Sequence, residues 1–274
     1  MAKARGKKGE TINQKGKGKS VTFDLSPPSS PLMPSDAALI IFAKAPIPGQ
    51  VKTRLCPPLT PDEAASLHGS VVLDILERSK TVRGLDRFLG CAPSKEHPFF
   101  KALAARHGVQ LWDQVGEDLG RRMGHAFQTA FDKGYRYAIL VGTDLPTLPT
   151  GSFHQALTLL KEYDMVLGPT LDGGYYLIGL KTPIPELFID VSWSTDQVFT
   201  RSQHTAQSLG LTMGLLENLR DLDTIEDLQA FIDEARGPGK RGFSTRTIRV
   251  LQTLASRIPK RMGGPHTYHG HSSL

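Results

Sequence analysis

The stretch LIIFAKAPIPGQVKTRL, residues 39–55, joins an unbroken apolar run to a loop that carries three cations. Its first five residues, 39–43, are continuously apolar, as in a short strand that is buried on both faces of a parallel sheet. Lys44, Lys52 and Arg54 then bring positive charge to the loop, and the arginine can hold two phosphate oxygens at once. A buried strand that opens into such a loop predicts an α/β fold with an anion-binding site where the strand ends.

Gly49 lies within this cationic loop and supplies backbone freedom and unobstructed N–H groups, which favours phosphate binding. The loop matches neither the P-loop pattern GxxxxGKS/T nor the dinucleotide pattern GxGxxG. From this loop alone, a solvated basic segment is an equally good interpretation. The choice depends on what the rest of the chain brings to the same end of the sheet.

The rest of the chain alternates apolar runs with stretches of helical periodicity, which predicts a single Rossmann-like α/β domain. Its mostly parallel sheet is expected to lie between layers of helices, because the runs are apolar throughout. The predicted strands are residues 39–43, 88–92, 109–112, 137–141, 164–167 and 175–180. The predicted helices are residues 60–79, 99–107, 118–131, 152–162, 195–209 and 224–235. The loop before residues 175–180 is so short that this strand is expected to be antiparallel.

Charge divides the chain of 274 residues into three segments. Residues 1–35 carry seven Lys or Arg and two acidic residues, and residues 236–274 carry eight Lys or Arg and no acidic residue. The whole chain has a net charge of +6, so residues 36–235 carry a net charge of −7. We therefore expect a disordered basic leader rich in Pro and Ser at 1–35, a folded domain at 36–235 and a basic tail at 236–274.

The basic tail contains an amphipathic pattern from Phe243 to Ile258. One interpretation is an additional helix packed on the domain, and the other is a helix that associates weakly with a membrane surface or a partner. The acidic domain argues against specific nucleic-acid binding. The sequence shows no apolar signal-peptide core and no run long enough to span a membrane. We therefore expect a cytoplasmic protein, with Cys56 and Cys91 as reduced thiols in packing roles.

Three further polar loops lie at predicted strand ends or before the last predicted helix: GTDLP at 142–146, GPTLDGG at 168–174 and DLDTIEDL at 221–228. Ligands of parallel sheets bind outside the carboxyl ends of the strands, so we expect these loops and the cationic loop to form one site. The segment Trp193–Thr195 is expected to close its acceptor side, or else to combine a core tryptophan with a capping hydroxyl.

Four aspartates in these loops are candidates for the chemistry. Asp144 directly follows a buried strand, where a carboxylate can bind Mg²⁺ or Mn²⁺ and share it with substrate phosphates, and an Asx turn is the alternative. Asp223 is the candidate second metal ligand, with helix capping as the alternative. Asp221 is a poorer candidate because it lies further from the helix start. Asp172 is the candidate general base, acceptor anchor or metal partner, with a β-turn aspartate as the alternative.

Six motifs occur in the order KxPxPGxVKTRL, GEDLGRRM, GTDLP, GPTLDGGYYLIGL, WST and DLDTIEDL. Together they resemble bacterial nucleotide-diphospho-sugar transferases with a glycosyltransferase-A-like fold. Members of that family are often associated with radical-SAM, selenium or arsenosugar gene neighbourhoods. The resemblance extends over residues 38–235, which is nearly the whole predicted domain.

The resemblance implies a role for each matching residue. Asp144 matches the metal-binding aspartate that follows the central strand, and Asp223 matches a second metal carboxylate. Lys44, Lys52 and Arg54 match the phosphate-binding loop. The residues implied to hold the nucleoside are Gly116, Asp118, Leu119 and Arg122.

These features predict a metal-dependent glycosyltransferase that takes a nucleotide sugar and a small-molecule acceptor, with Asp172 and Lys52 as catalytic residues. Sugar-transferring members of the fold commonly carry a DxD pair, whereas this chain has GTD at 142–144. The first alternative is therefore a guanylyltransferase-like nucleotidyltransferase, which takes a nucleoside triphosphate and a small phosphorylated substrate and releases pyrophosphate. The second alternative is a noncatalytic nucleotide-binding protein.

Overall fold

The computed structural model describes residues 35–237 and 242–258, and the structural statements below concern these residues. Nearly all of the predicted leader and the end of the predicted tail lie outside them. The strands are β1 (Ala37–Lys44), β2 (Leu85–Ala92), β3 (Gln110–Asp113), β4 (Tyr137–Val141), β5 (Met165–Pro169), β6 (Tyr175–Leu180) and β7 (Met213–Leu215). The α-helices are α1 (Pro61–Ser79), α2 (Pro98–His107), α3 (Leu119–Asp132), α4 (Gly151–Glu162), α5 (Val198–Ser208), α6 (Ile225–Arg236) and α7 (Thr245–Leu254).

The described strands form one sheet in the order β3-β2-β1-β4-β6-β5-β7. β1 pairs in parallel with β2 and β4, and the pairs β2–β3 and β5–β7 are also parallel. β6 is antiparallel to both of its neighbours, because the short loop after β5 returns the chain as a hairpin. The predicted mostly parallel α/β sheet is thus confirmed, including the antiparallel strand at 175–180.

The central strand β1 is buried on both faces, as its unbroken apolar sequence predicts. Leu39 and Ile41 pack into a core with α1, α2 and α4, whereas Ile40 and Phe42 pack into a second core with α3. Each fully buried side chain of this size contributes about 1.5–3 kcal/mol. The two cores hold the strand rigidly, so the loop that follows it leaves the sheet from a fixed point.

Helix α1 begins with a capping box, in which the Thr60 side chain accepts from the Glu63 N–H and the Glu63 carboxylate accepts from the Thr60 N–H. A third core lies between this helix, α6 and α7. Leu67 of α1, Phe231 of α6 and Leu251 of α7 are all buried in it. The amphipathic segment at 243–258 therefore forms a helix whose apolar face is covered by the domain.

Helix α7 is also fixed by polar contacts to α1. The buried carboxylate of Asp74 accepts hydrogen bonds from Ser244 Oγ at 2.6 Å, Thr247 Oγ1 at 2.5 Å and Arg246 Nη1 at 2.5 Å. A buried carboxylate needs this compensation, because an unpaired charge in the interior is costly. The segment that contains α7 is consequently part of the folded unit.

One turn further along α1, Arg78 lies behind the loop that follows β4. Its guanidinium donates to the carbonyl of Leu148 at 2.9 Å, to that of Pro146 at 2.8 Å and to that of Gly242. Arg78 therefore joins the segment before α7 to the loop that begins with Asp144. None of the described helices has the length and apolar composition that crossing a bilayer requires.

Candidate active site

A cleft of about 520 Å³ lies at the carboxyl ends of β1 and β4, on the side where β6 begins. Sequence-distant segments contribute to it, which is the arrangement expected for ligand sites of α/β sheets. The predicted site residues that line it are Lys44, Lys52, Arg54, Leu119, Arg122, Asp144, Asp172 and Asp223. Three others, Gly49, Gly116 and Asp118, do not line the cleft.

The three residues outside the cleft wall have local structural roles. Gly49 has a positive φ of 79°, so it forms the turn of the cationic loop. Asp118 caps α3 by accepting from the Arg121 N–H at 2.8 Å. Gly116 has a φ of 141°, and a Cβ there would lie 2.8 Å from the Arg122 nitrogen. Gly116 and Asp118 shape the start of α3, which presents Leu119 to the cleft.

Lys52 is the most constrained cation of the site. Its side chain is only 5% exposed, and its backbone has a left-handed φ of 49°, which is uncommon for lysine. Its ammonium donates to Asp144 Oδ1, to Asp223 Oδ1 at 3.0 Å and to the Leu222 carbonyl at 2.5 Å. The lysine thus stands where the two predicted metal carboxylates converge.

The charges of this group reinforce one another. Burial disfavours the ammonium of Lys52, but Asp144 and Asp223 outweigh burial and raise the pKa of Lys52 above its ordinary value. The protein surroundings of Asp144 disfavour its charge, yet Lys52 holds the pKa of this carboxyl below its ordinary value. Both groups are therefore charged at neutral pH.

A second cluster of carboxylates adjoins the first. Oxygen atoms of Asp172, Asp221 and Asp223 lie within 4.8 Å of one another. Burial, followed by the charges of Asp172 and Asp223, raises the pKa of Asp221 to about 7. Asp221, which the sequence ranks below Asp223, thus lies in the same cluster as Asp223. Asp221 and Asp223 lie on either side of the buried Leu222. This alternation of polar and apolar residues was the sequence signal that the two carboxylates lie on the same face.

Four carboxylates thus lie at this end of the sheet, and Lys52 forms ion pairs with two of them, Asp144 and Asp223. Burial is the first cause of the raised pKa of Asp221, and repulsion from the charges of Asp172 and Asp223 adds to it. A divalent cation would offset this repulsion, and oxygen ligands of this kind are those that Mg²⁺ and Mn²⁺ prefer. The residues fit such a cation, provided that Lys52 can be displaced from Asp144 and Asp223.

Asp172 takes part in a turn as well as in the acidic cluster. Its Oδ1 accepts from Thr170 Oγ1 at 2.5 Å and from the Gly174 N–H at 3.0 Å, as in an Asx turn. Gly173 between them has a φ of 89°, and a Cβ at this position would lie 2.2 Å from the Asp196 carbonyl oxygen. The alternative role considered for Asp172 is therefore present, and the turn presses against the segment that carries Trp193.

The opposite wall of the cleft combines an apolar surface with a fixed arginine. Leu119 is 42% exposed, and Arg122 donates from Nε to the Gly116 carbonyl at 2.9 Å. Trp193 packs on Gly120 so closely that a Cβ there would come within 2.7 Å of the indole ring. An apolar side chain next to a positive one suits a planar, polar ring such as a nucleobase.

His68 of α1 is a cleft residue that sequence analysis missed. Its Nε2 lies 3.0 Å from the Lys44 carbonyl oxygen, and its Nδ1 has no hydrogen-bond partner among the described residues. Burial lowers the pKa of His68, so the ring is neutral at pH 7. A histidine on the buried face of an amphipathic helix was the available signal, since such a position is normally apolar.

The fold is that of proteins described as nucleotide-diphospho-sugar transferases. A crystal structure of a "putative nucleotide-diphospho-sugar transferase" from Desulfovibrio desulfuricans G20 has this fold: it is 32% identical, with a TM-score of 0.75, and the match covers 82% of this chain and 97% of that one. The model of the family described as "Uncharacterized protein conserved in bacteria (DUF2064)" matches residues 75–195 of this chain.

Two curated relatives bear on the reaction. A 3-phospho-D-glycerate guanylyltransferase from Phenylobacterium zucineum (strain HLK1) is 29% identical over 212 residues, which is 75% of this chain and 92% of the relative. A 2-phospho-L-lactate guanylyltransferase from Methanothermobacter thermautotrophicus is 25% identical over 199 residues, which is 70% of this chain and 83% of the relative. The relatives agree with the predicted assignment to the transferases, and they favour the nucleotidyltransferase alternative over sugar transfer.

Proposed function

We propose that the protein is a metal-dependent nucleotidyltransferase that joins a nucleoside monophosphate unit to a small phosphorylated acid. The observation that carries the proposal is the charge pattern of the cleft. Four cationic side chains line it together with acidic residues: Lys44, Lys52, Arg54 and Arg122. A nucleoside triphosphate needs several cationic partners, and its metal ion needs carboxylates. The names of the two guanylyltransferases support the same reaction class.

In this proposal an oxygen of the acceptor phosphate attacks the α-phosphorus of the triphosphate. The new P–O bond forms as the bond from the α-phosphorus to the bridging oxygen breaks, and pyrophosphate leaves. A phosphate monoester is already largely ionised at neutral pH, so its attack needs no general base. Asp172 then serves to orient the acceptor, and the role of general base that sequence analysis considered for it is unnecessary.

The charge of each remaining cleft residue suggests which part of the substrate it binds. Asp144 and Asp223 would hold the divalent cation, with Asp221 as the third carboxylate, and the cation would offset the charge of the phosphates. Lys44 and Arg54 would bind the phosphate chain from the loop after β1. Leu119, with the neighbouring start of α3, would hold the nucleoside. The cytoplasmic location expected from the sequence stays a prediction.

The test is a product assay with two readouts. The protein is incubated with Mg²⁺ or Mn²⁺ and each nucleoside triphosphate, with 3-phosphoglycerate or 2-phospholactate as acceptor, and pyrophosphate is measured. We expect release of pyrophosphate that depends on both the metal and the acceptor. Asp144→Asn should abolish it, whereas Asp62→Asn, at an exposed acid at the start of α1, should leave it near the wild-type rate.

A parallel assay with nucleotide sugars measures the release of nucleoside diphosphate. This second candidate is favoured by the 32% identical nucleotide-diphospho-sugar transferase structure. Nucleoside diphosphate without pyrophosphate would overturn the nucleotidyl-transfer proposal in favour of sugar transfer. Nucleotide binding without either product would favour the noncatalytic alternative.

A further inference from the structure

The ammonium of Lys52 has no free donor in this structure. An ammonium has three N–H groups, and Lys52 has three acceptors, namely the carboxylates of Asp144 and Asp223 and the carbonyl of Leu222. The side chain is almost fully buried, so water cannot readily take over one of these bonds. In this arrangement Lys52 neutralises carboxylates and cannot bind a phosphate.

A metal ion on the same two carboxylates would need the position that Lys52 now occupies. Carboxylate oxygens bind Mg²⁺ at about 2.0–2.1 Å, so the ion would stand beside Asp144 Oδ1 and Asp223 Oδ1, where the ammonium lies. Two cations at this distance repel each other strongly in a partly enclosed cleft. A metal ion that binds these two oxygens therefore displaces Lys52, and one that binds the other oxygen of either carboxylate is repelled by the ammonium beside it.

The cost of that departure depends on what else is bound. Without a nucleotide, the displaced ammonium loses three acceptors and remains close to a dication. With a nucleotide, phosphate oxygens offer new acceptors in the same cleft, which Lys52 itself lines. The binding free energy of the free metal ion is therefore reduced by the full cost of displacing Lys52. For the metal–nucleotide complex, the new phosphate acceptors offset part of that cost.

We propose that Lys52 is a resident counter-ion that makes the Asp144–Asp223 pair selective for a metal–nucleotide complex over the free metal ion. This inference rests on the proposed function, because it takes a metal-bound nucleotide as the ligand. Since linkage is reciprocal, the nucleotide must raise the affinity for the metal by the same factor by which the metal raises the affinity for the nucleotide.

The test measures Mn²⁺ binding by electron paramagnetic resonance, with and without GTP, and needs no turnover. Wild-type protein should bind free Mn²⁺ weakly, and GTP should tighten this binding by about tenfold or more. Lys52→Met should bind free Mn²⁺ about tenfold more tightly than wild type and should lose most of the coupling to GTP. Lys52→Gln, which keeps a polar side chain without the charge, is the second variant if Lys52→Met does not fold.

Lys44→Met is the matched control, because Lys44 lines the same cleft and has no ion pair with these carboxylates. It removes one positive charge, so its effect on free Mn²⁺ should be several-fold smaller than that of Lys52→Met. Equal gains in the two variants would show a general charge effect and overturn the proposal. Unchanged Mn²⁺ affinity in folded Lys52 variants, beside GTP-coupled binding in wild type, would overturn the counter-ion role alone. Absence of Mn²⁺ binding with and without GTP would overturn the proposed function as well.

Discussion

The raised pKa of Asp221 predicts an unusual dependence of stability on pH. In the metal-free protein this carboxyl lies beside Asp172 and Asp223, and its pKa is about 7 against an ordinary value of 3.8. Between these two values the folded protein keeps a proton that the unfolded chain has released. Stability therefore falls as pH rises from about 4 to about 7, and it levels off above that range.

The magnitude follows from the difference between the two pKa values. Each pH unit corresponds to about 1.4 kcal/mol, so the largest cost from Asp221 alone is about 4 kcal/mol above pH 7. The side chain is only partly buried, and solvent screening reduces this figure by roughly half. Asp221→Asn removes the charge and keeps the shape. We therefore expect the free energy of unfolding of the variant, relative to that of wild type, to be about 1–2 kcal/mol higher at pH 8 than at pH 5.

Urea unfolding of both proteins at pH 5 and pH 8, in the presence of a chelator, measures this difference. Asp62→Asn is the matched control, because its carboxylate lies at the exposed start of α1 and far from the acidic cluster in sequence. Its difference from wild type should be the same at both pH values. Equal differences for Asp221→Asn at pH 5 and pH 8 would refute the reasoning. Added Mn²⁺ at pH 8 should stabilise the wild type more than the Asp221 variant.

Three further predictions concern residues that hold the site in place. Gly173→Ala should lower the free energy of unfolding by more than about 2 kcal/mol, because a Cβ would lie 2.2 Å from the Asp196 carbonyl oxygen at a φ of 89°. A Tm within about one degree of wild type would contradict this prediction. Asp74→Ala should lower the free energy of unfolding in urea by about 3–5 kcal/mol, because it leaves the partners of a buried carboxylate unpaired. A loss below about 1 kcal/mol would show that α7 is held by its apolar face alone. Arg78→Lys should weaken metal-dependent GTP binding in a calorimetric titration while far-ultraviolet circular dichroism stays unchanged, because a lysine cannot reach all three carbonyls behind Asp144. Wild-type affinity in that variant would mean that the loop holds its own shape.

Much of the fold could be predicted because the signals are local. Three such signals are the apolar run of β1, the capping box of α1 and the short loop before β6. Each of them is contained in a few consecutive residues. Strand β7 was missed because three residues, Met213–Leu215, are too few for a period to be recognised. It exists because β5 offers it a parallel edge, which is a tertiary effect.

The candidate site could be predicted only in part for the same reason. Asp144 and Lys52 were identified separately, but their contact joins residues 92 positions apart, and no local pattern shows that the lysine lies on the carboxylate. Asp221 was ranked by its distance from α6, whereas its surroundings depend on Asp172 from another loop. The periodicity of α7 showed an apolar face without showing what covers it.

The bonds between Asp74 and the segment before and within α7 also set an order of events during synthesis. The partners of this carboxylate lie 170 to 173 residues further along the chain, so a ribosome finishes every strand of the sheet before it makes them. Domains generally form as the chain emerges from its N-terminal end, and until then α1 carries an uncompensated acid on a face that must become buried. The same late segment brings the Gly242 carbonyl to Arg78, behind the loop of Asp144. The cleft end of the sheet is therefore supported by a segment that is translated after all of the described strands, and a nascent chain acquires these contacts only once residues 242–247 have been made.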